Sequence, residues 1–207
     1  AGRMSTVFIP AQRRFLVPPT VAARLLDEQV RQARERRVQL LQATVAPEDT
    51  IEAEAYRAAG FRRLARLIYM DADLNLPLRP PQSSLELEWI TYHDDTHPLF
   101  ASVVQSTYEG SLDCVGLNGV RHIDDILASH KATGVFDPRH WLIAAVAGRP
   151  AGVILLSRLP ERWALEVVYM GVLPGWRGRT CGIALLGQAV TIARREALSI
   201  MTLSVDA

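Results

Sequence analysis

The residues best suited to chemistry lie in one stretch, 171–184, between two segments that predict regular structure. The preceding ALEVVYM (164–170) is apolar and predicts a buried strand, and apolar residues after Cys181 recur at helical spacing. Several glycines and two arginines, Arg177 and Arg179, separate strand from helix. A helix N-terminus presents unpaired N–H groups and a positive dipole end, and small residues before it let an anion approach closely. The stretch therefore predicts a phosphate or pyrophosphate site.

Two common phosphate-binding motifs do not fit this stretch. A Walker A loop would end in Gly-Lys-Ser or Gly-Lys-Thr, and no such ending is present. A dinucleotide-binding fingerprint needs G-x-G-x-x-G, whereas Gly175, Gly178 and Gly182 are spaced differently. The stretch thus indicates an anion site of another kind.

The segment YMGVLPGWRGRTCGIALL (169–186) resembles motif A of the GCN5-related N-acetyltransferases, the GNAT family. That motif has Val-x-Pro at the end of a strand, then Arg/Gln-x-x-Gly-x-Gly/Ala, then a helix that begins Ala-Leu-Leu. The positions that match the motif are Val172, Pro174, Arg177, Gly178, Arg179, Gly182, Ala184, Leu185 and Leu186. Thr180 departs from it, because the family usually has a glycine there, and its side chain would narrow the cradle.

This resemblance implies that acetyl-coenzyme A (acetyl-CoA) is the cofactor and that N–H groups of the loop hold its pyrophosphate. It also implies that the strand ending at Val172 splays from its neighbour and pairs with the pantetheine arm. The residues implied to contact the cofactor are Met170, Gly171, Val172, Arg177, Gly178, Arg179, Thr180, Cys181, Gly182, Ile183 and Ala184. No metal site is expected, because the histidines and the two cysteines lack metal-ligand spacing.

Acetyl transfer requires a neutral amine, a polarised carbonyl and a proton for the leaving thiolate. Glu166 is the candidate base, because a carboxylate within an apolar strand has a raised pKa when partly buried. The alternative is a solvent-facing position or a salt bridge to an arginine. Tyr169 is the candidate acid, with a core tyrosine as the alternative. A backbone N–H near Gly171 or Val172 would meet the carbonyl.

The segment TYEGSLDCVGLNG (107–119) lies between two predicted helices, where the resembled family often contacts the acceptor. The candidate acceptor-binding residues are Tyr108, Glu109, Asp113 and Asn118. An ordinary capped loop is the alternative. Cys181 stands at a helix N-terminus, which could lower its pKa, but its place in the motif favours a backbone role.

The predicted element order from residue 85 onward is strand, two helices, three strands, helix, strand. The predicted strands are 85–92, 141–147, 151–159, 163–172 and 200–205, and the predicted helices are 97–108, 123–134 and 181–199. This order indicates an α/β fold with one mixed sheet and helices on both faces. It is also the order of the acyl-CoA N-acyltransferase fold that the resemblance implies.

Proline and serine cluster at 75–84, which predicts a linker over 77–84 between an N-terminal segment, 1–76, and a C-terminal domain, 85–207. Residues 21–45 resemble 181–205 at an offset of 160, which suggests a partial tandem repeat. The N-terminal copy has Val17, Pro18 and Pro19 where the other has its arginines, so we expect a degenerate, non-binding copy. Tyr56, which matches the family's usual acid, is expected to pack in that copy. Either the chain is a fragment, or the N-terminal segment supplies elements that the C-terminal domain lacks.

The formal net charge is +1, which gives no electrostatic argument for a nucleic-acid or membrane partner. We expect a cytoplasmic protein, because no secretory signal or long apolar run is apparent. An open sheet edge at the last strand would favour a homodimer. The sequence thus predicts an N-acyltransferase that uses acetyl-CoA and an amine on a small molecule or peptide. The alternatives are a non-catalytic coenzyme A-binding regulator and a scaffold.

Overall fold

The computed structural model describes residues 3–8, 19–77, 83–111 and 122–206. Contacts divide the chain into a first unit, residues 1–64, and a second unit, residues 65–207. The described elements of the first unit are β1 (Met4–Thr6), α1 (Pro19–Glu35), β2 (Leu40–Gln42) and α2 (Thr50–Ala58). Its two strands are parallel, and the helix between them makes a β–α–β unit.

Among the described residues of the first unit, a small core buries Val7, Leu26 and Tyr56. Tyr56 packs edge-on against Phe61 at 5.1 Å between ring centroids, and its hydroxyl donates to the Val7 carbonyl at 3.3 Å. The expectation that Tyr56 packs within the N-terminal segment is therefore confirmed. Its hydroxyl already serves a structural hydrogen bond in this core.

The second unit is built on one six-stranded mixed sheet. Its strands are β3 (Leu67–Asp73), β4 (Glu88–Thr91), β5 (Trp141–Val146), β6 (Arg149–Leu159), β7 (Ala164–Val172) and β8 (Ile200–Asp206). Their order is β3-β8-β7-β6-β5-β4, and only β7 and β8 are parallel. The helices are α3 (His97–Thr107), α4 (Ile123–Lys131) and α5 (Cys181–Arg195). The predicted mixed α/β sheet is confirmed.

Both faces of the sheet are covered by helices, as the sequence predicts. On one face, α3 and α4 bury Phe100, Val104 and Leu127 against Val153 and Leu155. On the other face, α5 buries its apolar stripe, and Leu185, Ala189 and Ala193 pack with Ile154 and Leu165. The sheet therefore lies between two apolar cores, and its central strands have few exposed residues.

The position of β3 corrects the expected domain boundary. It lies within 1–76, yet it pairs antiparallel with β8 along its whole length, from Leu67 opposite Asp206 to Asp73 opposite Ile200. Without β3, the outer edge of β8 would carry unpaired N–H and C=O groups, and pairing with β3 satisfies them. The N-terminal segment thus supplies a strand to the sheet of the second unit. The expectation of an open edge at the last strand, on which the homodimer argument rested, was wrong, because β8 is an inner strand.

The ends of the helices also differ from the prediction. The structure ends α5 at Arg195, four residues before the predicted end, because Ala197 adopts a left-handed conformation with φ of 54°. The Leu198 N–H then bonds back to the Ala193 carbonyl at 2.9 Å, which turns the chain into β8. Likewise α4 ends at Lys131, before Gly134, whose φ is 55°.

Candidate active site

The strands β7 and β8 separate at the middle of β7. They pair from Ala164 opposite Ile200 to Val167 opposite Leu203, and the described pairing ends there. Beyond that point β7 continues to Val172 along β6, while β8 continues to Asp206 along β3. In the described part of the chain, the edge of β7 that faces β8 has no strand partner from residue 168 onward. The splay that the resemblance implies is therefore present.

A bulge in β7 sets the direction of its side chains beyond the split. In the register with β6, Leu156 lies opposite Val167 and Leu155 lies opposite Tyr169, so Val168 is an extra residue. Leu165 and Val167 pack on the α5 face, and simple alternation would send Tyr169 to that face as well. The bulge reverses this, and Tyr169 packs on the face of α3 and α4.

The loop after β7 forms a cradle before α5. A short 3₁₀ turn, Pro174–Trp176, follows β7, and Gly178 then takes a φ of 71° that favours glycine. Thr180 precedes α5 with a φ of 63°, and no side-chain hydrogen bond caps the helix. The Thr180 hydroxyl lies 3.0 Å from the hydroxyl of Ser83 instead.

Beside this N-terminus lies a cavity of about 420 Å³. Its lining residues are Val172, Trp176, Arg177, Gly178, Thr180, Cys181, Gly182 and Ile183. Because the first turn of α5 has no side-chain cap among the described residues, its N–H groups and dipole favour an anion in this cavity. Seven of these eight residues belong to the set that the resemblance implies, and Trp176 is the exception.

The two arginines of the loop have different surroundings. Both are exposed, and the Arg179 guanidinium lies 5.7 Å from the centroid of the Trp176 ring. The Arg177 guanidinium instead donates to three backbone carbonyls, those of Val172 (3.1 Å), Gly110 (3.2 Å) and Thr107 (2.9 Å). Arg177 therefore connects the end of β7 to the end of α3, a contact that no sequence pattern indicates.

A second cavity, of about 320 Å³, adjoins the first at Val172 and Arg177. Its lining residues are Thr107, Gly110, Ser111, Tyr169, Met170, Gly171, Val172 and Arg177. The two cavities therefore meet at the end of β7, one at the N-terminus of α5 and one at the C-terminus of α3.

Thr107 lines the second cavity and holds a neighbouring side chain there, although no pattern in the sequence points to it. Its hydroxyl donates to the Val104 carbonyl at 2.6 Å and lies 2.6 Å from the Tyr169 hydroxyl. Because a carbonyl can only accept and Thr107 has one hydroxyl proton, satisfying both bonds requires Tyr169 to donate to Thr107. Gly171 makes room for this contact, since a Cβ at that position would lie 2.6 Å from the Thr107 oxygen.

Two aromatic rings hold Tyr169 from the α3 and α4 side. The His130 ring stacks on it at 5.6 Å between centroids, and the Tyr108 ring lies at 5.7 Å. Tyr108, an expected acceptor contact, thus packs beside Tyr169 just after α3. Glu109 is exposed on the same turn. The other two expected acceptor residues, Asp113 and Asn118, lie outside the described residues.

Glu166 is half-buried on β7, opposite Ser157 on β6 and Thr202 on β8. Burial raises the pKa of its carboxyl above the ordinary value, and the positive charge of Arg162 acts in the opposite direction. Ser157 lies two residues after Leu155 on β6, and Leu155 packs in the same core as Tyr169, so this row lies on the sheet face toward which Tyr169 points. Glu166 and Tyr169 therefore share one face of the sheet, and of the two only Tyr169 is among the residues that line the cavities.

Cys181 is a core residue. It is buried against the sheet, and burial raises the pKa of its thiol. A raised pKa opposes the lowering expected from a helix N-terminus, so the thiol is a weak nucleophile. This agrees with the expected backbone role of Cys181. Among the described residues, no group of histidine, cysteine and carboxylate side chains is arranged to hold a metal ion.

The sequence model of the acetyltransferase (GNAT) family matches residues 117–207. A search of curated proteins found no significant match to this sequence. None of the helices in the described ranges is both long enough and apolar enough to cross a bilayer.

Several solved structures share the fold. A GCN5-related N-acetyltransferase from Sphaerobacter thermophilus superposes with a TM-score of 0.68 at 17% identity, covering 99% of this chain and 64% of its own. A conserved protein of unknown function from Staphylococcus epidermidis gives 0.60 at 14% identity, covering 93% and 72%. A GCN5-related N-acetyltransferase from Kribbella flavida gives 0.57 at 14% identity, covering 90% and 66%. The chain therefore has the fold of these proteins and spans 64% of the length of the Sphaerobacter protein.

Proposed function

We propose that the second unit is an acyl-CoA-dependent N-acyltransferase that transfers an acetyl group to an amine of a small molecule or peptide. The observation that carries this proposal is the splay of β7 from β8, with the uncapped N-terminus of α5 beside its open end. The match of residues 117–207 to the acetyltransferase (GNAT) family and the shared fold support it. Acetyl-CoA would supply the acetyl group as a thioester, whose carbonyl is open to attack by an amine.

The residues present fit the cofactor. The first-turn N–H groups of α5 and the left-handed Gly178 suit a pyrophosphate, and the exposed Arg179 adds positive charge nearby. The edge of β7 without a described strand partner, residues 168–172, offers backbone groups to an amide-containing arm. These two features meet at Val172, which lines both cavities. The chain thus provides an anion cradle and a strand edge next to each other.

The proposed chemistry uses residues on the α3 and α4 face of the sheet. Glu166 accepts a proton from the ammonium form of the acceptor, and its raised pKa makes it a better base at neutral pH than an exposed glutamate. A backbone N–H of Gly171 or Val172 polarises the carbonyl. Tyr169 is the proposed acid, because it lines the cavity and its bond to Thr107 fixes the ring; its hydroxyl proton, which Thr107 accepts in this structure, would pass to the leaving thiolate. Tyr108 and Glu109 are proposed acceptor contacts, together with Asp113 and Asn118.

We also propose that the first unit is a degenerate copy of part of the second. At an offset of 160 residues the β–α–β units agree in register, since Met4 pairs with Leu40 and Ala164 with Ile200, both in parallel. Both helices end in the same way, because Arg37 and Ala197 share a left-handed φ of 54°. The loop that differs most, with Val17 and Pro18, lies outside the described residues, and Pro19 begins α1. Matching backbone detail supports duplication more strongly than the sequence likeness does.

An assay of free thiol release tests the proposed function. The chain is incubated with acetyl-CoA and a panel of amines that includes polyamines, amino sugars and peptide N-termini. We expect amine-dependent thiol release that Glu166→Gln reduces by about 10²-fold or more, the usual size of a general-base effect. Binding of acetyl-CoA without release by any amine would favour the non-catalytic regulator, and the absence of binding would reject both functions.

A further inference from the structure

Arg177 is bonded to backbone carbonyls on both sides of the second cavity. Its side chain folds back to the end of the preceding strand, β7, and donates to the Val172 carbonyl at 3.1 Å. The same guanidinium reaches the Thr107 carbonyl at 2.9 Å and the Gly110 carbonyl at 3.2 Å. One side chain thus joins the loop that precedes α5 to the C-terminus of α3.

The chemistry of both partners suits this contact. Carbonyl groups in the last turn of a helix have no partner within the helix, and they lie at the negative end of its dipole. Arginine carries a planar fork of five N–H donors, whereas lysine offers only a compact ammonium. A guanidinium can therefore serve three carbonyls that point from two elements, and a lysine cannot reproduce that geometry.

The residue that Arg177 holds is also the residue that orients Tyr169. The Thr107 carbonyl accepts from Arg177, and the Thr107 hydroxyl accepts from Tyr169. Arg177 lies in the walls of both cavities, and the cradle residues follow it directly in the chain. A continuous set of contacts therefore leads from the cradle through Arg177 and Thr107 to Tyr169.

We propose that Arg177 is a positioning residue that couples occupation of the cradle to the order of residues 107–111, rather than a direct ligand of the pyrophosphate. This rests on the proposed function, because the cradle must bind acetyl-CoA. When an anion fixes the loop, the bonds from Arg177 to the Thr107 and Gly110 carbonyls fix the end of α3, and with it the ring of Tyr169. Arg179, which is exposed and has no described contact with α3, supplies charge to the anion instead.

Hydrogen exchange measured by mass spectrometry tests this coupling without an acceptor. In the unaltered protein, saturating acetyl-CoA is expected to slow amide exchange in peptides covering 178–186 and in peptides covering 107–111, by about fivefold or more. Arg177→Gln and Arg177→Lys should keep the protection at 178–186 and lose it at 107–111. Arg179→Gln is the matched control, because it removes one charge from the same loop. It should weaken the binding of acetyl-CoA, but once the cofactor is raised to saturation it should retain the protection at 107–111.

Each other outcome has a defined meaning. Protection at 107–111 that persists in folded Arg177→Gln overturns the coupling, and so does loss of acetyl-CoA binding in both Arg177 variants but not in Arg179→Gln. If acetyl-CoA slows exchange nowhere in the unaltered protein, the proposed function fails. The bonds from Arg177 to Thr107 and Gly110 are then tested without cofactor. Amides at 107–111 should exchange faster in Arg177→Gln than in the unaltered protein, and equal exchange in the two proteins overturns the proposed role of Arg177. Arg177→Lys keeps the charge and the aliphatic stem, so it provides a folded variant if Arg177→Gln is unstable.

Discussion

The hydroxyl oxygens of Thr107 and Tyr169 lie 2.6 Å apart, although the two residues belong to different elements and are 62 residues apart in the sequence. Thr107 ends α3, and Tyr169 follows the bulge in β7. Because Thr107 donates to the Val104 carbonyl, it accepts from Tyr169. This bond fixes the ring of Tyr169, whose hydroxyl is the proposed acid.

Replacing Thr107 by valine keeps the shape of the side chain and removes the acceptor for Tyr169. We expect a loss of about 1–3 kcal/mol in the free energy of unfolding, because the Val104 carbonyl and the Tyr169 hydroxyl both lose this partner. Thr107→Ser retains the hydroxyl and should keep the bond. Urea denaturation of both variants measures the difference. If serine and valine destabilise the protein equally, the hydroxyl contact contributes nothing to stability.

Gly171 should tolerate no side chain. A Cβ there would lie 2.6–2.9 Å from three Thr107 atoms, so Gly171→Ala is expected to cost about 1–3 kcal/mol in stability through overpacking. Gly175→Ala is the matched control, because a Cβ at that position has nothing within 4 Å. Thermal unfolding of the two variants compares them directly. A stable Gly171→Ala protein would contradict the close packing of α3 on β7.

Thr180 is strained, because a β-branched residue with a φ of 63° lies in the left-handed region. That conformation costs an L-residue about 1–2 kcal/mol, and the extra freedom of glycine in the unfolded chain costs about 0.5–1 kcal/mol. Thr180→Gly should therefore raise the free energy of unfolding by roughly 0–1.5 kcal/mol, the difference between those two costs. Chemical denaturation measures it, and a clear destabilisation would show that the hydroxyl contact with Ser83 outweighs the strain.

Glu166 should make stability depend on pH in a defined direction. Burial raises its pKa above 4.5 in the folded state, so the folded protein retains a proton that the unfolded chain releases. The contribution of Glu166 to stability is fully present below the ordinary pKa and is lost as pH rises through the raised pKa. Glu166→Gln should therefore gain stability relative to the unaltered protein between pH 4 and pH 8. Denaturation curves across that range test this, and a gap that stays constant or narrows would exclude a raised pKa.

The sequence predicts the parts of the site that are local in the chain. The loop from Gly171 to Gly182 and the start of α5 at Cys181 are as expected, because glycine spacing and helical periodicity are local signals. The bulge at Val168 and the bond between Thr107 and Arg177 have no local signal, since they arise when distant segments pack. The same reason explains β3, whose pairing with β8 depends on an open edge far along the chain.

Calorimetric titration of acetyl-CoA into the purified chain tests the central claim most directly. We expect acetyl-CoA to bind in the micromolar range and free coenzyme A to compete with it. Acetyl-pantetheine should bind much more weakly, because it lacks the pyrophosphate that the α5 N-terminus should hold. Arg179→Gln should weaken the binding of acetyl-CoA and leave that of acetyl-pantetheine unchanged. Equal affinity for acetyl-CoA and acetyl-pantetheine, or no heat of binding with either, would contradict an anion cradle at the open end of β7.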